Sequence, residues 1–475
     1  MPQAQSLRTK RAEVEFHNFA SMGQPEVVLA DYRAKNERRA AFLHQHIQHI
    51  GPLTPFLEIG ANAGHSSYML ANDFGAGGFA LDISADALRH GAALMDEWGY
   101  QRAPVRIGGD AANLPFADGS LQFVVTYQTL SQFTGIESVF REARRVLAPG
   151  GVFLFAEEPL RRLLTLRLYR TPFVHEMSPR EKRLYEAGLL GFIGQDVIGS
   201  RQEEIQGIEQ NHGLSIGGWR DLARQYFDDV KWFLHAPERG WAERWVKKAA
   251  LWGSRGRTDF AAELLGGTVT GLCRKQRGDP AFFDPRHFEQ ALRCPDCHGS
   301  VVRSASEDLS CGACDYRAAL EYGVYNLLPS AERQELYPGD RDDIIDFSRP
   351  GHERLLGEGW YELEGSFGNR YRWMGARASA HLVAGAPQRR KLRVRGFASE
   401  QSLCVAPSLS VRFSANGNPI GQLRLTTPGL FVFETDLPQV GAYDIGIEAD
   451  PTFRRSNDDR TYGVIMSLIG LWESE

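Results

Sequence analysis

No run of about 18 apolar residues occurs in this chain, so no helix is expected to cross a bilayer. The opening residues, MPQAQSLRTKRAEVEF, have no apolar core of the kind a secretory leader needs, which points to a cytoplasmic protein. Neither sign of charge is in large excess. Fifty-four Lys and Arg stand against 59 Asp and Glu, a net charge of −5, so no global basic surface asks for nucleic acid. Internal repeats and long low-complexity tracts are missing, which excludes a repeat array. Cysteine is scarce, at six in 475 residues, and Cys273 and Cys404 have the apolar flanks of core residues. What is left is ordinary globular composition, 43% hydrophobic and 24% charged, with length for about three domains.

The most informative stretch is FLEIGANAGHSSYML at 56–70. An apolar run ends near an acid, a turn with two glycines follows, and then a segment able to start a helix. Such a strand–turn–helix junction is where an open α/β sheet binds a nucleotide-like ligand. The G-x-G-x-x-G dinucleotide fingerprint is absent, because Asn62 and His65 occupy its second and third glycine positions. The pattern present is E-x-G-x-N-x-G, through Glu58, Gly60, Asn62 and Gly64. This resembles the first motif of the class I S-adenosylmethionine (SAM) methyltransferases, E/D-x-G-x-G-x-G, in their type 11/12-like form. Asn62 departs from it mildly, since Asn tolerates positive φ better than most residues.

The resemblance continues in order. FALDI at 79–83 is an apolar strand ending near an acid, where the family binds the SAM ribose, implying roles for Asp82 and its neighbour Ile83. VRIGGDAANLPF at 105–116 matches the segment whose acid and following amide contact adenine, implying Asp110 and Ala111. LQFVVTYQTL and REARRVLAPGGVFLFAEEP resemble the fourth strand and the helix, turn and strand after it. The resemblance implies that Glu58 meets the methionine amino group or orients the turn. It implies that the amides of the helix after Gly64 help hold the carboxylate, and that helices preceding the core close over the cofactor. An oxygen acceptor also needs a proton acceptor. The candidates are Tyr127, His175 and His212, with Gln128 able only to orient. His212 and Tyr127 are the two selected.

Four cysteines form C-x2-C-x13-C-x2-C through Cys294, Cys297, Cys311 and Cys314. Two such knuckles can place four thiolates around a structural Zn²⁺. Two disulfides, a redox CxxC pair and substitution of one ligand by His298 are the alternatives. The surrounding segment resembles zinc ribbons, including the small activator subunit of tRNA and protein methyltransferases, with YGVYNLLPS as its closing strand. From about residue 346 short alternating segments take over, with Asn416-Gly417 as a hairpin signal. This last region is similar to β domains found beside bacterial glycosyltransferases.

The expected architecture is therefore α/β. A Rossmann-like, seven-stranded methyltransferase domain occupies 1–278, with a helical lid at about 160–215. A four-cysteine zinc ribbon follows at 288–335, then a β-sandwich or jelly roll at 346–475. The expected function is SAM-dependent O-methylation of a sugar in a bacterial surface polysaccharide or related glycoconjugate. Its acceptor is a small molecule or glycan, reached as a lipid-linked form at a membrane surface if the basic, apolar RRLLTLRLYR stretch touches one. A methyltransferase for RNA or protein, and a non-catalytic SAM-fold scaffold, are the alternatives.

Overall fold

Short apolar runs with little polar alternation make strands covered on both faces. Such runs form β1 (Phe56–Ile59), β2 (Gly78–Asp82), β3 (Val105–Gly108) and β4 (Leu121–Tyr127) in the computed structural model. The structure describes residues 7, 10, 14, 25–133, 135–160, 214–235, 268–276, 283–337, 341–347, 351–364, 370–384, 390–455 and 458–473. They belong to two compact units, one within Met1–His17 and Gln24–Ser330, the other within Asn18–Gly23 and Ala331–Glu475.

In the first unit, α1 (Pro25–Ile50) precedes β1. α2 (His65–Asp73) and α3 (Ala85–Trp98) follow β1 and β2. Ser84 caps α3 by accepting from the Ala87 amide at 3.1 Å, and Gly99 ends it in the left-handed region. α4 (Ile136–Val146) buries Ile136, Val139, Phe140, Ala143 and Val146, one face at helical spacing. β5 (Leu147–Pro159), α5 (Ile216–Tyr226), β6 (Asp229–His235) and β7 (Thr268–Arg274) complete the core. Side chains alternate across the sheet. Leu57, Phe79, Val124 and Phe155 share one core with Phe140 and Trp219, whereas Phe56, Phe123, Val125 and Leu154 share another with Leu43 and Met69. Helices thus cover both faces of a Rossmann-like, doubly wound sheet.

The cysteine-containing segment divides between two sheets. Part of it forms a small sheet of its own, from β8 (Val301–Arg303), β9 (Leu309–Cys311) and β10 (Arg317–Ala318). The stretch expected to close the ribbon instead forms β11 (Leu320–Glu321) and β12 (Val324–Asn326), which join the large sheet. That sheet therefore has nine strands, in the order β11-β12-β3-β2-β1-β4-β5-β7-β6; seven of them lie within residues 1–278, and β11 and β12 extend the sheet at the β3 edge. β12 pairs in parallel with β3, Tyr325 opposite Ile107 and Asn326 opposite Gly108. Without it, β3 would present an open edge of unpaired amides and carbonyls.

The second unit is antiparallel. One of its sheets contains β13 (Ile344–Asp346), β14 (Trp360–Glu364), β15 (Tyr371–Met374), β17 (Arg390–Ala398), β20 (Gly429–Leu437) and β24 (Ile465–Glu473). The other contains β16 (Arg377–Val383), β18 (Leu409–Ala415), β19 (Asn418–Leu425) and β21 (Ala442–Asp450). The first runs β14-β15-β24-β17-β20 with β13 also on β24, and the second runs β16-β21-β18-β19. A short pair, β22 (Phe453–Arg454) and β23 (Thr461–Tyr462), stands apart. Both large sheets contribute to one apolar core, including Val394 and Ile469 from the first and Phe413 and Ile447 from the second. Asn416 and Gly417 join β18 to β19 with φ of 50° and 78°, the paired positive values of a type I′ turn. Trp373 packs against Phe453 and Tyr462 and is 3% exposed, so it serves as core.

Candidate functional site

The strand order reverses at β1, with β2 and β3 on one side and β4 and β5 on the other. Ligands bind such sheets outside the carboxyl ends of the strands at this switch point. The turn after β1 lies there. Gly60, Asn62 and Gly64 have φ of 70°, 52° and 86°, so the non-glycine residue in the motif adopts the same left-handed conformation as its neighbours. A Cβ on Gly60 would sit 2.2 Å from Thr129 Cγ2, which shows how closely the β1 and β4 loops approach.

Asp82 ends β2 and is buried. Its Oδ2 accepts from the Asn62 amide at 2.7 Å and its Oδ1 from the Ser84 amide at 2.9 Å, so it fixes the turn. Ile83 beside it is half-buried. Glu58 lies beneath the turn, with Oε2 accepting from Ser67 Oγ at 2.5 Å. Burial pushes its carboxyl up to about 7, against the opposing pull of the Ser67 hydrogen bond and the Arg39 charge.

Asp110 and Ala111 follow β3. Asp110 pairs with Lys10 Nζ at 2.9 Å and accepts from the Ala112 amide at 2.9 Å. The cysteine segment fastens this loop on both sides. The Leu327 amide donates to Gly108 O at 2.7 Å, and the Arg293 amide to Pro115 O at 3.1 Å. Asn113 Nδ2 donates to Pro295 O, inside the first knuckle, at 3.2 Å.

The third wall comes from α1 and the ends of β4 and β5. Arg39 reaches Glu157 with two bonds, Nε to Oε1 at 3.0 Å and Nη2 to Oε2 at 2.7 Å, and gives Nη1 to Ser66 Oγ at 2.8 Å. Asn36 donates to His65 O and accepts from Ser66 Oγ. The Tyr32 ring stacks on His65 at 3.7 Å. Burial drives the His65 imidazole down to about 3, with Arg39 and Lys35 adding to the effect, so it is neutral. Glu158 is fully buried and takes the amides of Thr129, Leu130 and Ser131 at 2.9, 2.9 and 3.1 Å. Burial lifts its carboxyl to about 7 even though these amides pull it down.

Of the two candidate proton acceptors, His212 lies outside the described residues, as does His175. Tyr127 lies in this wall, with Arg39 Cζ 4.1 Å above its ring. Burial raises its phenol well above the ordinary value, which opposes proton acceptance at neutral pH and suits hydrogen-bond donation. Gln128 is exposed at the end of β4 with φ 55°. Arg39, Ser66, Glu157 and Glu158 are residues that sequence reasoning misses. The doubled acid at the end of the fifth strand is the available signal for the last two.

Cys294, Cys297, Cys311 and Cys314 come together with their Sγ atoms all within 4.8 Å of one another. Cys294 and Cys314 are 3.7 Å apart, and Cys297 and Cys311 3.4 Å. Four thiolates tetrahedrally around Zn²⁺ at about 2.3 Å would be about 3.8 Å apart, so the cluster fits that ion. The Gly299 and Ala313 amides point at the sulfurs of Cys297 and Cys311, as knuckle turns do.

Residues 57–155 match a family described as "Methyltransferase domain". An arsenite methyltransferase of Aquipseudomonas alcaligenes is 34% identical over 109 residues, 21% of this chain and 32% of that protein. A malonyl-[acyl-carrier protein] O-methyltransferase of Geobacter sulfurreducens is 34% identical over 102 residues, 21% of this chain and 37% of that one. The chain thus spans about a third of the length of these curated relatives. A solved geranyl diphosphate methyltransferase in complex with SAM is 16% identical, with 50% of this chain and 84% of that chain covered and a TM-score of 0.34, which adds nothing to the fold described above. Residues 57–155, then, are the part of this chain that is similar to methyltransferase domains.

Proposed function

We propose that the chain is a SAM-dependent methyltransferase. One observation carries the reading. The glycine turn, Asp82 and the Asp110 loop stand in order along the carboxyl edge of β1, β2 and β3, inside the matched segment. Glu58, Gly60, Asn62, Gly64, Asp82, Ile83, Asp110 and Ala111 are assigned to the cofactor. Asp82 accepts hydrogen bonds from ribose hydroxyls, and Asp110 with the Ala111 amide reads adenine. When bound, SAM supplies an electrophilic methyl group. The protein's work is to hold donor and acceptor aligned and to exclude water.

For the acceptor we propose a sugar hydroxyl of a surface glycan, with His212 taking its proton. The support is the C-terminal antiparallel unit and its resemblance to β domains beside glycosyltransferases. The alternative of an RNA or protein acceptor draws on the ribbon, but the ribbon's attachment to β3 already gives it a role within the sheet. Cys294, Cys297, Cys311 and Cys314 are assigned to a structural zinc, since four thiolates leave no open coordination position.

Incubation with methyl-labelled SAM and separate glycan, RNA and protein fractions tests the acceptor. Label in glycan is the expected result, and label confined to RNA or protein overturns that choice. Titration with S-adenosylhomocysteine tests the cofactor, and absence of binding returns the chain to a scaffold role.

A further inference from the structure

We infer that Arg141, Arg144 and Lys275 form a binding site for a phosphate ester or diphosphate, at the edge of the large sheet opposite the proposed donor crevice.

A surface pocket of about 470 Å³ is lined by Asp118, Gly119, Arg141, Arg144, Arg145 and Lys275. That volume falls in the range of small-ligand sites and exceeds what a lone ion needs. Asp118 and Gly119 precede β4, the three arginines lie on α4 just ahead of β5, and Lys275 follows β7, whose Arg274 pairs with Val152 of β5. These are the amino ends of β4 and β5. The glycine turn, Asp82 and the Asp110 loop stand at the carboxyl ends of β1, β2 and β3, so the two sites lie at opposite edges of one sheet.

Four cations and one carboxylate line the pocket. The carboxylate is already taken. Asp118 Oδ1 accepts from Arg145 Nη1 at 2.6 Å, and Glu142 Oε2 accepts from Arg145 Nη2 at 2.6 Å, so Arg145 is a neutralised strut. The other three cations lack such an answer. Arg141 is exposed and makes no hydrogen bond or ion pair among the described residues. Arg144 gives Nη1 to Tyr226 O, and the Asp228 carboxylate stands 4.0 Å away, beyond hydrogen-bond reach. Lys275 Nζ donates to Leu147 O at 2.5 Å and has no acid paired with it among the described residues. Burial and the charges of Arg144 and Arg145 lower the Lys275 ammonium below its ordinary value against the pull of Asp118, the mark of an uncompensated positive field. The negative end of the α4 dipole favours Arg144 and Arg145 in its last turn. It explains neither Arg141 before that turn nor Lys275, which a different element brings in.

Like charges gathered without a counter-charge repel one another and weaken the fold until an anion joins them. A carboxylate offers one charge and two oxygens. A phosphate offers nearly two charges and three strong acceptor oxygens, which guanidinium forks match in shape. The rest of the pocket accommodates the group that the phosphate esterifies.

Calorimetric titration of the full chain with inorganic pyrophosphate tests the inference, and flotation with phosphatidic acid vesicles separates a lipid headgroup from a soluble ester. Pyrophosphate should bind with a Kd below about 1 mM at low salt, and about five-fold or more weaker at about 200 mM salt. Arg141→Gln should weaken it about five-fold, Arg141→Lys by less than about three-fold, and Arg141→Glu should abolish it. Because Arg141 holds nothing else, these variants should keep the melting temperature of the unaltered protein. Lys275→Gln should weaken pyrophosphate about ten-fold. S-Adenosylhomocysteine affinity should be the same in every variant and with pyrophosphate present.

No binding of millimolar pyrophosphate at low salt overturns the inference. So does binding that Arg141→Glu leaves unchanged, since the anion then sits elsewhere. Displacement of S-adenosylhomocysteine by pyrophosphate overturns it too, because the anion would then occupy the donor crevice. Vesicle binding that Arg141→Glu abolishes and pyrophosphate competes away supports the site with a lipid headgroup in it. Pyrophosphate binding without vesicle binding supports it with a soluble ester.

Discussion

Replacing Glu58 by Gln should make the protein more stable, and only above mildly acidic pH. The Glu58 carboxyl titrates near 7 in the folded protein, against an ordinary value of 4.5. The folded state therefore holds this proton more tightly than the unfolded chain does. Below the unfolded value both states are protonated, and the carboxyl costs nothing extra. As pH rises from about 4.5 to about 7, the unfolded chain gives up its proton first and stability falls. Above about 7 the full penalty is present. A displacement from 4.5 to about 7 corresponds to about 3 kcal/mol, as an upper figure for a buried group. Gln keeps the acceptor that Ser67 Oγ uses and has nothing to ionise. The stability difference between Glu58→Gln and the unaltered protein, read from urea midpoints, should be under about 1 kcal/mol at pH 5 and grow in favour of the variant up to pH 8. Comparing the two proteins at each pH cancels the other titrating groups. Denaturation should be followed by the tryptophans of the first unit, because a chain of two units need not unfold in one step. A difference that stays flat from pH 5 to pH 8 refutes the argument, because Glu58 would then ionise as an exposed glutamate does.

Three further outcomes are expected. Gly60→Ala should lower stability by about 3 kcal/mol or more and abolish S-adenosylhomocysteine binding, because the new methyl meets Thr129 Cγ2 at 2.2 Å on a left-handed backbone; pairing it with Thr129→Gly should restore part of the loss in thermal melts. Asp82→Ala should weaken S-adenosylhomocysteine at least about ten-fold in calorimetry and cost about 1–3 kcal/mol of stability, since the Asn62 and Ser84 amides lose their acceptor. Elemental analysis should find about one zinc per chain, and a strong chelator should lower the melting temperature of the first unit. No metal, with the thiols oxidised in pairs, would refute the zinc assignment.

Features set by neighbouring residues can be read from the chain. The turn at Gly60, Asn62 and Gly64 is legible because each position demands a backbone that few residues adopt. Asn416-Gly417 is legible for the same reason, and the cysteine knuckles because thiol spacing is itself the signal. The features that escape are made by distant partners. Arg39 and Glu157 lie 118 positions apart, and nothing local to either announces the other. Glu158 reads as one more surface acid until the fold buries it beneath three amides. The addition of β12 to the sheet also escapes, because its three residues are too few to show a period. Its role comes from the open edge of β3, which the sequence of Val324–Asn326 does not reveal. Tyr127 can be found by its place at the end of β4, but its burial changes the chemistry it can offer.

The pairing of β12 with β3 also bears on how the chain is made. A ribosome releases β3 about 200 residues before the segment that will cover it, and at about 5–20 residues per second that interval is about 10–40 s. During that time the nascent domain shows an uncovered strand to its surroundings. Chaperone demand should therefore concentrate in this window, and truncated chains ending before Leu320 should aggregate during expression even though every strand from β1 to β7 is present.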